Sequence, residues 1–325
     1  MKFCLVGPGI MPIPPDGWGA LERQMWDRAC VLGEMDHEGD IINTPDMNEI
    51  AKECLEGDYD VIHVHYDMFY PVVDYLYGKV KCPILFSSHY PYIDQPEWHR
   101  KDGYWQVAEW MENNKEKYYN FAVSPKDVRY YKENGWSEDR LYWLMEGTND
   151  PESTYDETCT YSDKSIYLGK ISPRKKQDRY QTIDGIDFVG KYESGTGFVK
   201  NNPNYKGEWG REKLCKDLTK YANMVLLSDG ENGTSLAIKE ALVCGLGVVI
   251  SRHSASELDK DKKFITIIPD DKLGDLSYID EKIKENREYS CAHREEIREY
   301  GMDTFSLTTL IEKYVVNVQR ILNED

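Results

Sequence analysis

Short apolar runs alternate with longer stretches in which apolar residues recur every three to four positions, and this rhythm repeats through most of the chain. Short apolar runs bounded by turn formers predict buried strands, and the three-to-four-residue recurrence predicts helices packed by one face. In the first half the pattern predicts strands at 2–6, 39–43, 61–65, 84–88 and 119–123. Helices are predicted between them at 20–32, 48–56, 68–78, 106–117 and 125–134. Strands separated by helices imply a mostly parallel sheet with helices on both faces. A second block of the same kind opens at Ser165, with strands predicted at 165–168, 185–189, 224–227, 248–250 and 264–268. Residues 150–163, DPESTYDETCTYSD, are polar, acidic and without period, and read as the boundary between two domains. A last helix is predicted at 307–322, where Leu310, Ile311, Tyr314, Val315 and Val318 form one apolar face. The expected division is a first α/β domain over 1–150, a second over 151–305 and a terminal helix over 306–325.

Composition narrows the function. A length of 325 residues suits two domains, at roughly 100–200 residues each. The net charge of −18 disfavours bulk attraction to nucleic acid or to an anionic membrane. No apolar run approaches the ~20 residues that span a bilayer. The opening MKFCLVGPGIMP is too short and too glycine-rich for a secretory leader and reads as the first strand. The eight cysteines include no C-x-x-C pair, and Cys4, Cys30 and Cys244 lie in apolar contexts. Reduced, buried thiols in a cytoplasmic protein without structural zinc are the expectation.

Ligands of a parallel α/β sheet bind beyond the carboxyl ends of its strands. Three features of the first half fall there: the glycine loop after Val6, His65 and His89. In the loop, Gly7 and Gly9 open a dinucleotide fingerprint, but Pro12 occupies its third glycine position, which argues against a nicotinamide cofactor. Gly17 and Gly19 lie at the start of the next helix, where backbone amides suit an anion. His63 and His65 share one face of a strand with no third metal ligand nearby, and His65, at the strand's end, is the better placed to face a cleft. Tyr66, Phe69, Tyr70, Tyr90, Tyr92 and Trp98 are suited to stacking on a sugar or to packing.

The second half carries two further signals. SIYLGKISPRKKQ sets Lys170, Arg174, Lys175 and Lys176 just after a strand and a glycine turn, at Gly169. In so acidic a chain this is either a solvated loop or a site for a diphosphate. Residues 225–250, VLLSDGENGTSLAIKEALVCGLGVVI, read as strand, glycine loop, helix and strand. The loop, with Gly230 and Gly233, feeds amides into a helix N-terminus, which favours phosphate.

Taken in order, several segments resemble the retaining GT-B glycosyltransferases, specifically the family 4 group (glycosyl transferases group 1). They are G-W-G at 17–19, D-V-I-H at 60–63, S-S-H at 87–89, A-V-S at 122–124 and Gly147. They continue with G-K-I-S-P-R-K at 169–175, F-V-G-K at 188–191, Y-K-G at 205–207 and E-A-L-V-C-G-L-G-V-V at 240–249. The resemblance implies an α/β GT-B fold, with two Rossmann-like domains of mostly parallel sheet facing across a cleft. It also implies a hinge at about 147–163 and a terminal helix that packs back towards the first domain. The implied reaction moves a sugar from a nucleotide diphospho-sugar, UDP- or GDP-linked, to an acceptor hydroxyl; the Tyr and Trp residues of the loops after Val64 and Ser88 suit a carbohydrate as that acceptor. Configuration is retained, and neither a metal nor a cofactor is needed.

The resemblance also assigns roles. Lys170 and Lys175 fall where an arginine and a lysine neutralise the donor diphosphate; lysine at 170 keeps the charge and loses the planar fork. Glu240 falls on the ribose hydroxyls, and Gly233, Thr234 and Ser235 fall where loop amides meet phosphate or sugar. His89 falls beside the donor sugar, and Gly17 and Gly19 fall at donor phosphate or acceptor. Gly190 and Lys191 fall near the nucleobase. Read from their own positions, at a strand end and in aromatic loops, His65, Tyr66, Tyr90 and Tyr92 are the acceptor-side candidates. The family pattern has two glutamates with seven residues between them. Counting back from Glu240 reaches Asn232, with Glu231 one residue early. Either Asn232 replaces the first glutamate or Glu231 reaches in through an extra loop residue. Asn232 also leaves open a degenerate relative that binds a nucleotide-sugar or glycan without turnover.

Overall fold

The computed structural model describes residues 1–17, 19–148 and 154–324, so the boundary predicted at residue 150 lies outside the described residues. The chain forms two compact units. The first comprises Met1–Pro15, Gly19–Glu146 and Leu307–Asp325, and the second comprises Gly147–Ser306 with a short stretch at Asp16.

In the first unit the strands are β1 (Lys2–Val6), β2 (Glu38–Ile42), β3 (Val61–Val64), β4 (Ile84–Phe86), β5 (Tyr119–Ala122) and β6 (Leu141–Trp143). Its helices are α1 (Ala20–Glu34), α2 (Met47–Glu56), α3 (Tyr70–Leu76), α4 (Pro96–Lys101), α5 (Trp105–Asn113) and α6 (Pro125–Glu133). The sheet runs β2-β1-β3-β4-β5-β6, and every pairing is parallel. Side-chain alternation divides β1 between two cores. Cys4 and Val6 face one, with Ile62, Val64, Phe86 and the helix residues Ile50, Val72 and Trp110. Phe3 and Leu5 face the other, with Met25 and Leu32 of α1 and with Ile311, Tyr314, Val318 and Ile321 from the end of the chain. A sheet covered on both faces explains why its central strands read as unbroken apolar runs.

The second unit contains β7 (Tyr161–Leu168), β8 (Ile186–Val189), β9 (Tyr221–Leu226), β10 (Gly247–Ser251) and β11 (Ile265–Ile268). Its helices are α7 (Gln177–Tyr180), α8 (Arg211–Asp217), α9 (Leu236–Val243), α10 (Leu276–Ala292) and α11 (Arg294–Phe305). The last helix, α12 (Leu307–Glu324), belongs to the first unit. The second sheet is again all parallel, in the order β11-β10-β9-β7-β8. The polar boundary segment is shorter than the sequence suggested. Tyr161–Lys164 are the outer half of β7, where Tyr161 pairs with Tyr221 across a shift in register. These residues are largely exposed, so they lack the apolar signature of a strand. The sequence reading also missed β6, α4, α8, α10 and α11, the last two rich in charge.

Candidate functional site

In the second unit β7 has β8 on one side and β9 on the other, so the loops after β7 and β9 start at the point where strand order reverses. That is where open α/β sheets bind ligands. After β7 come Gly169, Lys170 and the 3-10 turn Pro173–Lys175. After β9 comes the loop that leads to α9. The two loops are zipped together. The Asp229 amide donates to the Arg174 carbonyl (3.0 Å), and Arg174 Nη1 donates to the Gly230 carbonyl (2.5 Å). The Tyr167 hydroxyl donates to the Lys175 carbonyl (2.5 Å) and accepts from the Leu227 amide (2.9 Å).

This frame buries Lys175 against Glu231, with Nζ 2.5 Å from Oε1, and brings Arg174 Nη1 to 3.3 Å from Oε2. Burial pulls the Lys175 ammonium below its ordinary value, opposed by the Glu231 charge. Burial would push Glu231 upward, but Lys175 and Arg174 outweigh it and hold the carboxyl below the usual range. Lys170 is more open and pairs with Glu193 at 3.2 Å. Gly169 and Gly190 lie close together where β7 and β8 end; a Cβ at Gly190, φ +148°, would overlap the Gly169 carbonyl. Next to them, Lys191 is exposed.

Ser235 is the residue that enters helix α9, and Gly233, two positions earlier, has φ +75°. The Thr234 amide is already engaged: it donates to Glu257 Oε2 (2.9 Å), a carboxylate also paired with Lys239 Nζ (3.0 Å). Both side chains of that pair are out of solvent, at 0% and 2% exposed. Thr234 therefore shapes the loop and does not present a spare amide. Glu240, buried on α9, pairs with Arg211 at the start of α8. Glu231 is turned onto Lys175 and Arg174, and Asn232 is half-buried beside it.

The first unit repeats the reversal, with β1 between β2 and β3. The rings of His63 and His65 lie 3.8 Å apart between centroids, tilted by 33°, and both are buried. Burial holds both imidazoles well below their ordinary value, so both are neutral. Hydrogen bonds assign their tautomers. Ser87 Oγ donates to the Phe121 carbonyl (2.7 Å), so it accepts from His63 Nε2 (2.8 Å), and His63 Nδ1 accepts from the Tyr314 hydroxyl (3.0 Å). Arg28 Nη1 donates to His65 Nε2 (3.0 Å), which leaves the proton on Nδ1, facing His89 Nε2 at 3.5 Å. His89 Nδ1 then faces Glu146 Oε1 at 3.4 Å. A directed chain Arg28–His65–His89–Glu146 results.

His65 at 1% exposed is enclosed by this chain, so its expected place facing a cleft is corrected to an internal one. Tyr92 is likewise buried and stacks on Trp98. Tyr90 stacks on Tyr104 at 4.0 Å and donates to Asp102 (2.9 Å), and Tyr66 packs edge-on against Phe69. The acceptor-side aromatics are thus largely engaged in packing within their own unit. Gly19 precedes α1 at φ +136°, while Gly17 groups with the second unit.

No protein-family model matches the sequence, and no curated protein matches it. Solved structures do match over the whole chain. Sucrose-phosphate synthase from Thermosynechococcus elongatus superposes with a TM-score of 0.82 at 14% identity, covering 100% of both chains. Anabaena HepE in complex with UDP-glucose gives 0.75 at 11% identity, again covering 100% of both. AviGT4, a glycosyltransferase involved in avilamycin A biosynthesis, gives 0.67 at 14% identity over 100% of this chain and 98% of that one. The fold is GT-B.

Within this GT-B chain, sequence reasoning missed the partners of the predicted residues: Glu193, Arg211, Glu257, Arg28 and Glu146. Arg28 had a signal, a charge at a position of α1 that periodicity assigns to the buried face. The others lie on loops or at helix starts, where no periodicity marks them. Among the described residues no three His, Cys, Asp or Glu side chains are grouped to hold a metal, and no helix is long and apolar enough to cross a membrane. A groove of about 540 Å³ between α2 and α3 holds none of the candidate residues.

Proposed function

We propose that the protein is a glycosyltransferase that moves a sugar from a nucleotide diphospho-sugar, UDP- or GDP-linked, to a hydroxyl of a carbohydrate acceptor. The reading includes retention of configuration and no metal. One observation carries it: at the strand-order reversal of the second unit, a basic turn is zipped to the loop that starts α9. Negative charge grows on the leaving diphosphate as the glycosidic bond breaks. Lys170, Arg174 and Lys175 are fixed cations at that edge, and preorganised charge acts most strongly where water is excluded. In this reading Glu240, held by Arg211, takes the ribose hydroxyls, and the Asn232 amide both donates to and accepts from sugar hydroxyls. HepE, with the same fold, was solved with UDP-glucose, which supports a nucleotide-sugar donor.

The test is a panel of UDP-, GDP- and ADP-sugars with carbohydrate acceptors, following release of the nucleoside diphosphate and the configuration of the product. Lys175→Ala should lower kcat by roughly 10²–10³, as when one oxyanion donor is lost. Failure of every donor to bind or react would overturn the reading. The engagement of Glu231 by two cations favours a second reading, a module that binds nucleotide-sugar without turnover. Saturable donor binding with no product across all acceptors selects that alternative.

A further inference from the structure

We propose that Cys159 and Cys291 are a redox pair, and that a disulfide formed between them by exchange with a small disulfide staples the segment leading into β7 to the end of α10. The two sulfurs lie 2.9 Å apart although 132 positions separate them in the sequence. All eight cysteines are free thiols in this structure.

Both thiols are held in place before any bond forms. Cys159 sits at φ +50° in a turn organised by Asp156. Asp156 Oδ1 accepts from the Thr158 amide (2.8 Å) and hydroxyl (2.6 Å), and Oδ2 accepts from the Thr160 hydroxyl (3.1 Å). Cys291 is on the last turn of α10. Arg294, buried at the start of α11, ties the two sides together. Its Nε donates to the Asp156 carbonyl (2.8 Å) and its Nη1 to the Tyr221 carbonyl (3.0 Å). Its Nη2 reaches Thr219 and the Cys244 carbonyl. Thiols fixed this way meet at high effective concentration.

The two sulfurs differ in a way that suits ordered exchange. Cys291 is half-buried and Cys159 is 5% exposed. The Cys159 hydrogen bond, with Arg294 and Arg287 behind it, brings the Cys291 thiol down to about 7. Cys291 is therefore the attacking thiolate. It displaces one thiol from the small disulfide and becomes a mixed disulfide. Cys159 then gives up its proton, attacks the Cys291 sulfur and expels the second thiol. Two cysteines are oxidised and one external disulfide is reduced to two thiols. The Cys159 thiol is held up chiefly by its hydrogen bond to Cys291, a cause that disappears once Cys291 is capped, while Arg294 remains beside it. The other close pair, Cys4 and Cys54 at 3.9 Å, is wholly buried and closed to reagents.

The experiment treats the folded, reduced full chain with oxidised glutathione. It follows intact mass, thiol titre after denaturation, disulfide-linked peptides and melting temperature. Expected are the loss of two thiols without retained glutathione, a Cys159–Cys291 linked peptide, and a Tm rise of about 5–15 °C that dithiothreitol reverses. Cys159→Ser should stop at a stable glutathione adduct on Cys291 with Tm unmoved by the oxidant, and Cys291→Ser should leave Cys159 unmodified. Accumulation of glutathione adducts on the unsubstituted chain, a Cys4–Cys54 bridge in its place, or an unchanged thiol titre would overturn the pair. A Cys159–Cys291 bond that leaves Tm unchanged would overturn the staple.

Discussion

Lys175 keeps only 11% of its side chain in water, and Glu231, itself 7% exposed, supplies the counter-charge at 2.5 Å. Replacing Glu231 by Gln leaves the ammonium buried without that charge, and breaking a buried pair from one side costs about 3–5 kcal/mol. Urea unfolding near neutral pH should register that loss, and Lys175→Met combined with Glu231→Leu should recover most of it. The pH dependence has a definite sign. The folded-state value of Glu231 lies below the usual 4.5, so its contribution is present above 4.5 and is lost as pH falls through the lowered value. Glu231→Gln should therefore flatten the acid limb of a stability-against-pH curve; an unaltered acid limb would contradict the assignment. The basic turn itself was legible, because four cations within G-K-I-S-P-R-K-K stand out in a chain of net charge −18. Its partners were not. Glu193 is one among 58 acidic residues, and Glu231, which the family pattern placed near the donor sugar, shows itself as the counter-charge of Lys175 and Arg174 only in the folded chain.

At the scale of elements, the strands that hold the loops announced themselves because both faces of each sheet are covered. Tyr161–Lys164 did not, since an exposed strand shows neither an apolar run nor alternation, and β6 sits in the apolar run LYWLM at 141–145, whose type periodicity alone does not decide. Glycines inside helices were equally silent, and two of them make a paired test. Gly301 lies within α11, where alanine has the better helix propensity by roughly 1 kcal/mol. A Cβ at Gly301 would sit 2.6 Å from the backbone carbon of Leu242 and the backbone nitrogen of Val243 in α9. Backbone cannot rotate away, so Gly301→Ala should destabilise by about 1–3 kcal/mol in spite of propensity. Gly33, in α1, has nothing within 4 Å of the same added atom. Gly33→Ala should leave stability unchanged or raise it by up to about 1 kcal/mol. Equal responses of the two variants in denaturant unfolding would show that propensity, and not the α9–α11 contact, governs both sites.

At the scale of the whole molecule, the repeated α/β rhythm made two sheets legible, but the periodicity of 307–322 showed only that the helix has a face to bury. What covers that face is a tertiary fact: α12 lies on the first unit's core with Phe3, Leu5 and Phe121. Leu307, Ile311, Tyr314, Val315, Val318 and Ile321 are all buried there. At about 1.5–3 kcal/mol for each such side chain, their gross burial rivals the roughly 5–15 kcal/mol net stability of a whole domain. The first unit is thus discontinuous, with the second inserted between Glu146 and Leu307. The insertion begins and ends side by side, since the Thr148 amide donates to the Phe305 carbonyl (2.9 Å) and Thr148 bridges to Ser306. A linker of roughly 4–6 residues, an ordinary loop length, should therefore replace 147–306 and leave a chain that unfolds cooperatively by circular dichroism. Residues 1–146 alone should not, because the Phe3 and Phe121 face would then meet water. On the proposed function, residues 147–306 alone should keep nucleotide affinity, since Lys170, Lys175 and Glu240 all lie within them, while the joined 1–146/307–325 chain should have none. Cooperative folding of 1–146 without α12 would refute the discontinuous unit, and nucleotide binding by the joined chain would move the donor site out of the second unit.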